Sequence, residues 1–266
     1  MIQKLKEHLQ PLGRVAVAYS GGVDSTLVLK ASIDALGAEH VIALLAVSPS
    51  LPQSEKDEAI ALAQRLGARL EMLTTEEVSD PDYQKNAPNR CYFCKDHVYR
   101  ALRLFAEKNG IMHVLDGMNA EDTLDVRPGR AAARELQILS PLHELGFSKQ
   151  DVRYFAKALG LPNWDKPAAA CLASRVPYGT SVTAKLLSQI ERAEAALFDL
   201  GFRELRVRHH GDVARIEVPD ADLPRVLEER EAITKALRAA GYTYVTLDLL
   251  GLRSGSMNEV LQARAV

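Results

Sequence analysis

The sequence predicts an α/β protein, a doubly wound parallel sheet with a smaller C-terminal α+β domain. Three observations carry that expectation. Over the first ~140 residues, short continuous apolar runs alternate with longer segments of helical period, which is how strands covered on both faces and joined by helices read. Beyond residue 180 the order becomes helix, strand, strand, helix, strand, with a Gly-Asp pair between the first two strands. The chain has 266 residues, 47% apolar and 26% charged, enough for two cores of ordinary domain size.

The opening MIQKLKEHLQ lacks the apolar stretch of a signal peptide and has the spacing of an amphipathic helix. Residues 15–19 (VAVAY), 41–47 (VIALLAV), 69–73 (RLEML) and 112–115 (MHVL) read as strands. Between them, residues 23–36, 54–66 and 93–108 repeat apolar positions at three-to-four spacing and read as helices. Gly37, Gly67 and Gly110 follow these helices, where a left-handed cap is wanted. Residues 116–178 are rich in Pro, Gly and lone polar residues around one helix, 149–159, and sites concentrate on such loops. Then come a helix at 183–200, strands at 204–209 and 213–218 around Gly211-Asp212, a helix at 223–240 and a strand at 242–249. The boundary is expected at 178–182, giving domains 1–180 and 181–266.

Charge and cysteine usage narrow the class. Lys plus Arg number 33 against 35 Asp plus Glu, a net charge of -2, which excludes the broad basic field of a general nucleic-acid binder but not a small basic groove. No apolar run approaches the ~18 residues of a membrane span. A soluble, cytoplasmic protein with reduced thiols is expected. Its 3 Cys, two of them spaced C-x-x-C, make poor material for a disulfide framework and suggest reactive or metal-bound thiols.

The strongest local signal is Ser20-Gly21-Gly22-Val23-Asp24-Ser25, directly after the first strand and opening a helix. Glycines let the backbone approach an anion, and free N–H groups at the helix start point towards it. Ser20 and Ser25 add hydroxyl donors, and Asp24 is a candidate magnesium ligand. No Lys follows the glycines, and the G-x-G-x-x-G spacing is absent, so neither the phosphoryl-transfer loop nor the dinucleotide fingerprint applies. A second loop, 116–122 (DGMNAED), follows the fourth strand at the carboxyl edge of the sheet, where ligands of open α/β sheets bind. Asn119 and Asp122 read equally well as caps of the next segment.

Cys91 and Cys94 lie in NRCYFCK (89–95) at a loop-to-helix junction, and Cys171 lies far downstream in KPAAACLASR (166–175). Four readings stand side by side. Zinc would take His97 as fourth ligand but lacks a second C-x-x-C. A redox pair would follow a strand, whereas a polar loop precedes this one. Inert buried thiols sit poorly beside Arg90, Lys95, Lys166 and Arg175, whose charge favours thiolate. Three thiolates of an iron–sulfur cluster would leave one iron open. Further on, Arg206 and Arg208 alternate on a strand and share a face, suited to forked contacts with carboxylate or phosphate, or simply a solvated edge. Arg253 lies in a glycine-flanked stretch, 251–256. Alternation puts Glu217 opposite Ile216 and Val218, towards solvent. His209 and His210, being adjacent, face opposite ways, and Trp164 reads as packing.

The SGGVDS loop resembles the pyrophosphate-binding loop of the ATP pyrophosphatase (PP-loop) superfamily, of adenine nucleotide alpha hydrolase-like fold, whose members split ATP between the α and β phosphates. There Gly117 lets a strand end pack against the nucleotide. The ordered set SGGVDS, NRCYFCK, DGMNAED, the Arg-Pro-Gly within 125–131, KPAAACLASR and VRHHGDVARIEV is more specific. Across essentially the whole chain it resembles the LarE family, ATP-dependent sulfur transferases that make the organic part of the nickel-pincer nucleotide cofactor of lactate racemase.

The resemblance implies a reaction. ATP, with Mg2+, adenylates the carboxylates of pyridinium-3,5-biscarboxylic acid mononucleotide, and a sulfur nucleophile displaces AMP to give thiocarboxylates. It implies ATP binding by Ser20, Gly21, Gly22, Asp24, Ser25 and Gly117, and substrate binding by Ser174, Arg175, Arg206, Arg208 and, more weakly, Arg253. Sulfur comes either from a [4Fe-4S] cluster held by Cys91, Cys94 and Cys171 and carrying an extra sulfide, or from Cys171 itself, sacrificed to dehydroalanine. All three cysteines are present, which favours the cluster. Glu217 is carried over as a divalent-metal ligand near an oligomer contact. Expected partners are a small-molecule nucleotide substrate, further copies of the chain in a homo-oligomer and a sulfide donor, with no nucleic acid and no membrane. A tRNA thiolase or other adenylating enzyme on the same fold, and an ATP-binding module without chemistry, are the competing readings.

Overall fold

The computed structural model describes residues 1–123, 129–167, 169–253 and 255–260; most of the Arg-Pro-Gly stretch falls outside them. Two compact units account for the chain, Met1–Tyr83 with Asn89–Ala169 and Gln84–Pro88 with Ala170–Val266. Cys91 and Cys94 belong to the first and Cys171 to the second.

In the first unit the elements run α1 (Ile2–Leu9), β1 (Val15–Ala18), α2 (Val23–Leu36), β2 (Val41–Val47), α3 (Gln53–Arg65), β3 (Arg69–Thr74), α4 (Pro81–Gln84), α5 (Arg90–Lys108), β4 (His113–Leu115), α6 (Gly129–Glu135), α7 (Pro141–Glu144) and α8 (Lys149–Ala158). All four strands are parallel, in the order β3-β2-β1-β4. Alternate residues serve opposite faces. Val15, Val17, Val41, Ala43 and Leu45 pack with Leu5 and Leu9 of α1, Leu27 of α2, Ala63 of α3 and Val152 of α8, whereas Ala16, Ile42, Leu44 and Val114 pack with Tyr99, Leu102 and Ala106 of α5 and Ala132 of α6. Both faces are covered, which is why the strands read as continuous apolar runs. Gly37, Gly67 and Gly110 all take positive φ after their helices, although Gly37, with ψ 146°, lies outside the left-handed cap expected there.

The strand order places the site. From β1 the chain steps through β2 to β3 on one side and returns as β4 on the other, so the order reverses between β1 and β4. Outside the carboxyl ends of those two strands lies the crevice of a switch point, and both the SGGVDS loop and DGMNAED begin there. Helix α5 starts at Arg90, three residues earlier than its periodicity suggests, so both cysteines of NRCYFCK are helical. The short helices α4, α6 and α7 lie in stretches whose composition reads as loop.

The second unit holds α9 (Ala184–Asp199), β5 (Arg206–His210), β6 (Val213–Glu217), α10 (Leu223–Glu228), α11 (Arg230–Ala239) and β7 (Tyr244–Leu247). Thr183 caps α9, its hydroxyl accepting from Leu186 N at 3.2 Å. β5 and β6 form the antiparallel hairpin, and β7 joins β6 in parallel, giving a mixed sheet. Leu197, Phe202, Val207, Ile216, Ile233 and Leu237 form its core. The single helix expected over 223–240 is two, broken at Glu229, where φ is -91° and ψ 13°. Among the described residues no helix is long and apolar enough to cross a membrane.

Candidate functional site

Ser20 to Ser25 form a closed hydrogen-bonded loop at the mouth of α2. The Ser20 and Ser25 hydroxyls lie 3.1 Å apart, Ser20 N donates to Ser25 Oγ at 3.2 Å, and Gly22 N donates to Ser20 Oγ at 3.3 Å. Thr26 Oγ1 donates to Gly22 O at 2.8 Å. Gly21 requires its glycine twice over: its φ is +74°, and a Cβ there would stand 2.7 Å from the Cβ of Ala59 on α3. Tyr19 tightens the same contact, its hydroxyl donating to Ala59 O at 3.0 Å, and burial pushes its phenol up to about 12. From the far side Asn163 Nδ2 donates to Gly21 O at 2.9 Å and to Thr26 Oγ1 at 3.0 Å. A pocket of about 440 Å³ opens beside the loop, lined among others by Gly21, Arg65, Asn163 and Lys166.

The second loop seats on the first. Gly117 has no room for a side chain, because a Cβ would lie 2.6 Å from Ser25 N and 2.9 Å from Ser25 Cα. That contact is with the loop backbone rather than with open space. Asp116 is fixed by the Tyr99 hydroxyl at 2.8 Å. Asn119 does two things at once: its Oδ1 caps Glu121 N at 2.9 Å, and its Nδ2 donates to Asp24 Oδ1 at 3.0 Å. Asp24 also pairs with Lys149 through its other oxygen. Lys149 is the first residue of α8, held there by the reciprocal Ser148–Asp151 capping box. A divalent cation on Asp24 therefore competes with an ammonium already in place.

Cys91 and Cys94 stand three residues apart in α5 and so share a face; Cys91 is exposed and Cys94 half-buried. His97 is taken by Asp80 at 2.8 Å, and that hydrogen bond holds the Asp80 carboxyl below its usual range. Cys171 is exposed and begins a short 3-10 turn, Leu172–Arg175. None of the three cysteines is in a disulfide. Within neither unit do three or more His, Cys, Asp or Glu side chains among the described residues form a group that could hold a metal ion.

Of the expected anion-binding arginines, Arg175, Arg208 and Arg253 are engaged by carboxylates. Arg175 forms a two-pronged pair with Glu194, Nε to Oε1 and Nη2 to Oε2, both at 3.0 Å. Arg208 donates twice to Glu217 Oε2, at 2.9 and 2.7 Å, and once to Ser174 O at 3.1 Å. Glu217 is fully buried, against the exposed position that alternation suggests, because Ser256 donates to its Oε1 at 2.8 Å and Arg215 at 3.1 Å. With both oxygens so occupied, a metal on Glu217 would have to displace guanidinium groups. Arg253 bridges Glu259 and Asp248, and the Glu259 hydrogen bond pushes its guanidinium further up. Arg206 is half-buried, and its Nη1 donates to Leu205 O at 2.6 Å. His209 is buried against the Tyr242 hydroxyl at 3.3 Å, and burial pushes its imidazole down, while His210 is exposed. Trp164 packs against the first core under the Lys157 ammonium, 4.3 Å from its ring centre.

Lys149, Asn163 and Glu194 are the residues that sequence alone gave no reason to single out. The Lys149–Asp24 contact spans 125 positions and Asn163–Gly21 spans 142, so no local spacing marks them.

Comparison with known proteins agrees with this geometry. The model of the NAD synthase family matches residues 2–103, the segment from α1 through most of α5. The pyridinium-3,5-bisthiocarboxylic acid mononucleotide synthase of Lactiplantibacillus plantarum is 44% identical over 95% of this chain and 92% of its own length. An uncharacterised protein of Synechocystis sp. is 43% identical over 98% of this chain and 97% of its own. Another, from Methanocaldococcus jannaschii, is 30% identical over 94% and 96%.

Proposed function

This chain belongs to the LarE family of PP-loop enzymes, and from that membership we propose that it makes pyridinium-3,5-bisthiocarboxylic acid mononucleotide from the corresponding dicarboxylate, with ATP as activator. The observation that carries the proposal is near-full-length identity to a synthase of that product, together with a closed SGGVDS loop at the switch point of the sheet. A carboxylate oxygen is a poor leaving group. Attack of the carboxylate on the α-phosphorus of ATP forms an acyl-adenylate and releases pyrophosphate, and AMP then leaves when sulfur attacks the acyl carbon.

In this reading the N–H groups at the start of α2, with Ser20 and Ser25, hold phosphate oxygens, and Gly21 and Gly117 keep the loop in shape. Asp24 would hold a magnesium ion that screens the phosphate charge, in place of its present pairing with Lys149. Ser174 and Arg206 are assigned to the anionic groups of the substrate. Arg208 and Arg253 contribute to the local field but are largely neutralised by their carboxylates. Adenylation belongs to residues 1–180 and much of the substrate's phosphate grip to 181–266.

Cys171 does the sulfur chemistry. The donor set is of the right chemistry for an iron–sulfur cluster, since three cysteines stand outside any disulfide, two of them exposed, and thiolate is the usual ligand of such clusters. Cys91, Cys94 and Cys171 would hold a [4Fe-4S] cluster, which would supply a place for sulfide. Sacrifice of the Cys171 sulfur is the second reading, supported by its exposure at the start of a turn. A cytoplasmic homo-oligomer fed by a separate sulfide donor completes the proposal.

The test separates the half-reactions. Pyrophosphate release from ATP is expected to depend on the pyridinium dicarboxylate mononucleotide. Cys171→Ala is expected to retain that release while forming no thiocarboxylate. Release that ignores the dicarboxylate, or a Cys171→Ala variant that still makes thiocarboxylate, contradicts the proposal.

A further inference from the structure

We propose that Arg175 is a positioning residue for Cys171, clamped by Glu194, and that it does not bind the substrate's anionic groups. Its place in the CLASR motif invites the anion-binding role, but all three of its nitrogens already donate within the protein. A guanidinium carries five N–H donors in a rigid fork. Nε and Nη2 hold the two Glu194 oxygens, while Nη1 donates to Ala170 O at 2.6 Å, to Cys171 O at 3.0 Å and to Ser174 Oγ at 3.0 Å. Arg175 is 3% exposed and Glu194 5%, so the pair presents no face to a ligand.

What the clamp holds is the backbone on both sides of the Cys171 amide. Ser174 N closes the turn onto Cys171 O at 2.9 Å, and Arg208 takes Ser174 O, so two arginine–glutamate pairs converge on one five-residue segment. Glu194 ties that segment to the sheet, because its Oε1 also accepts Val207 N at 2.9 Å. The thiol stays exposed while its main chain is fixed from beneath. Lysine cannot replace this fork, since a single ammonium cannot span a carboxylate and two carbonyls at once.

The inference rests on the proposed role of Cys171 in sulfur transfer, and its test includes a readout that does not. Arg175→Lys, Arg175→Ala and the near-isosteric Glu194→Gln are compared with the full-length protein for dicarboxylate-dependent pyrophosphate release, thiocarboxylate formation and the rate at which N-ethylmaleimide labels Cys171 relative to Cys91. Release is expected within about twofold of the unmodified protein. Thiocarboxylate is expected to fall ~100-fold, as a displacement of about an ångström at a reacting atom does. The labelling ratio shifts in all three variants, and millimolar guanidinium partly restores thiocarboxylate formation to Arg175→Ala. A raised KM for the dicarboxylate in the release assay makes Arg175 a substrate ligand and overturns the proposal. So does loss of folding in every variant, which marks a purely structural pair. If the unmodified protein releases no pyrophosphate, the functional reading fails instead, and an unchanged labelling ratio then overturns the clamp on its own.

Discussion

Single residues in this protein are legible where backbone geometry demands them and illegible where they are paired at a distance. Gly117 is the clearest case of the first kind. The family resemblance implies close approach to the nucleotide at this position after β4; what the structure shows is that a methyl group there would stand 2.6 Å from Ser25 N. Because the obstacle is backbone, it cannot swing aside. Gly117→Ala is therefore expected to shift the SGGVDS loop and cut pyrophosphate release ~100-fold while the protein stays folded; release within twofold of the unmodified enzyme would show that the loop tolerates the displacement. The arginines are the second kind. Arg175, Arg208 and Arg253 look like free cations in sequence, yet their partners Glu194, Glu217 and Glu259 are separated from them by other elements or turns. Charge type is written in the sequence, whereas neutralisation is a tertiary property.

At the level of elements, the first unit is legible because β1 and β2 are buried on two faces and read as continuous apolar runs, while α3 and α5 bury one stripe and carry the helical period. Glycines of positive φ follow, as at Gly67 and Gly110. The missing pieces are short. Helices α4 and α7 have four residues each, too few to show a period, and the break at Glu229 is a change in one ψ angle within an unbroken amphipathic pattern. Glu217 illustrates how a small sheet departs from simple alternation. On β6 one face packs on the core, but the other is covered by Arg208, Arg215 and Ser256, which makes the expected solvent side a buried ionic layer. Removing one member of such a layer leaves an uncompensated charge, so Glu217→Ala is expected to cost about 3–5 kcal/mol in urea unfolding. A loss under 1 kcal/mol would mean that water reaches Arg208 readily.

For the whole molecule, near-neutral charge and local pairing point the same way. A chain of net charge -2 in which Arg175, Arg208 and Arg253 are matched to carboxylates offers no broad field for a polymer, and suits a small anionic substrate placed by a few donors. Of the three cysteines, Cys91 and Cys94 stand on one face of α5, and Cys171 precedes the turn that Arg175 holds. The most direct measurement combines ATP, the pyridinium dicarboxylate mononucleotide and a sulfide source with the anaerobically purified protein, and follows the masses of the nucleotide and of the protein with iron and acid-labile sulfide content. The expected result is a nucleotide in which oxygen has been replaced by sulfur, AMP and pyrophosphate formed in step with it, iron and sulfide bound, and a protein of unchanged mass. A protein lighter by one hydrogen sulfide and free of iron would assign the sulfur to Cys171 itself. An unchanged nucleotide, with ATP intact, would contradict sulfur transfer altogether.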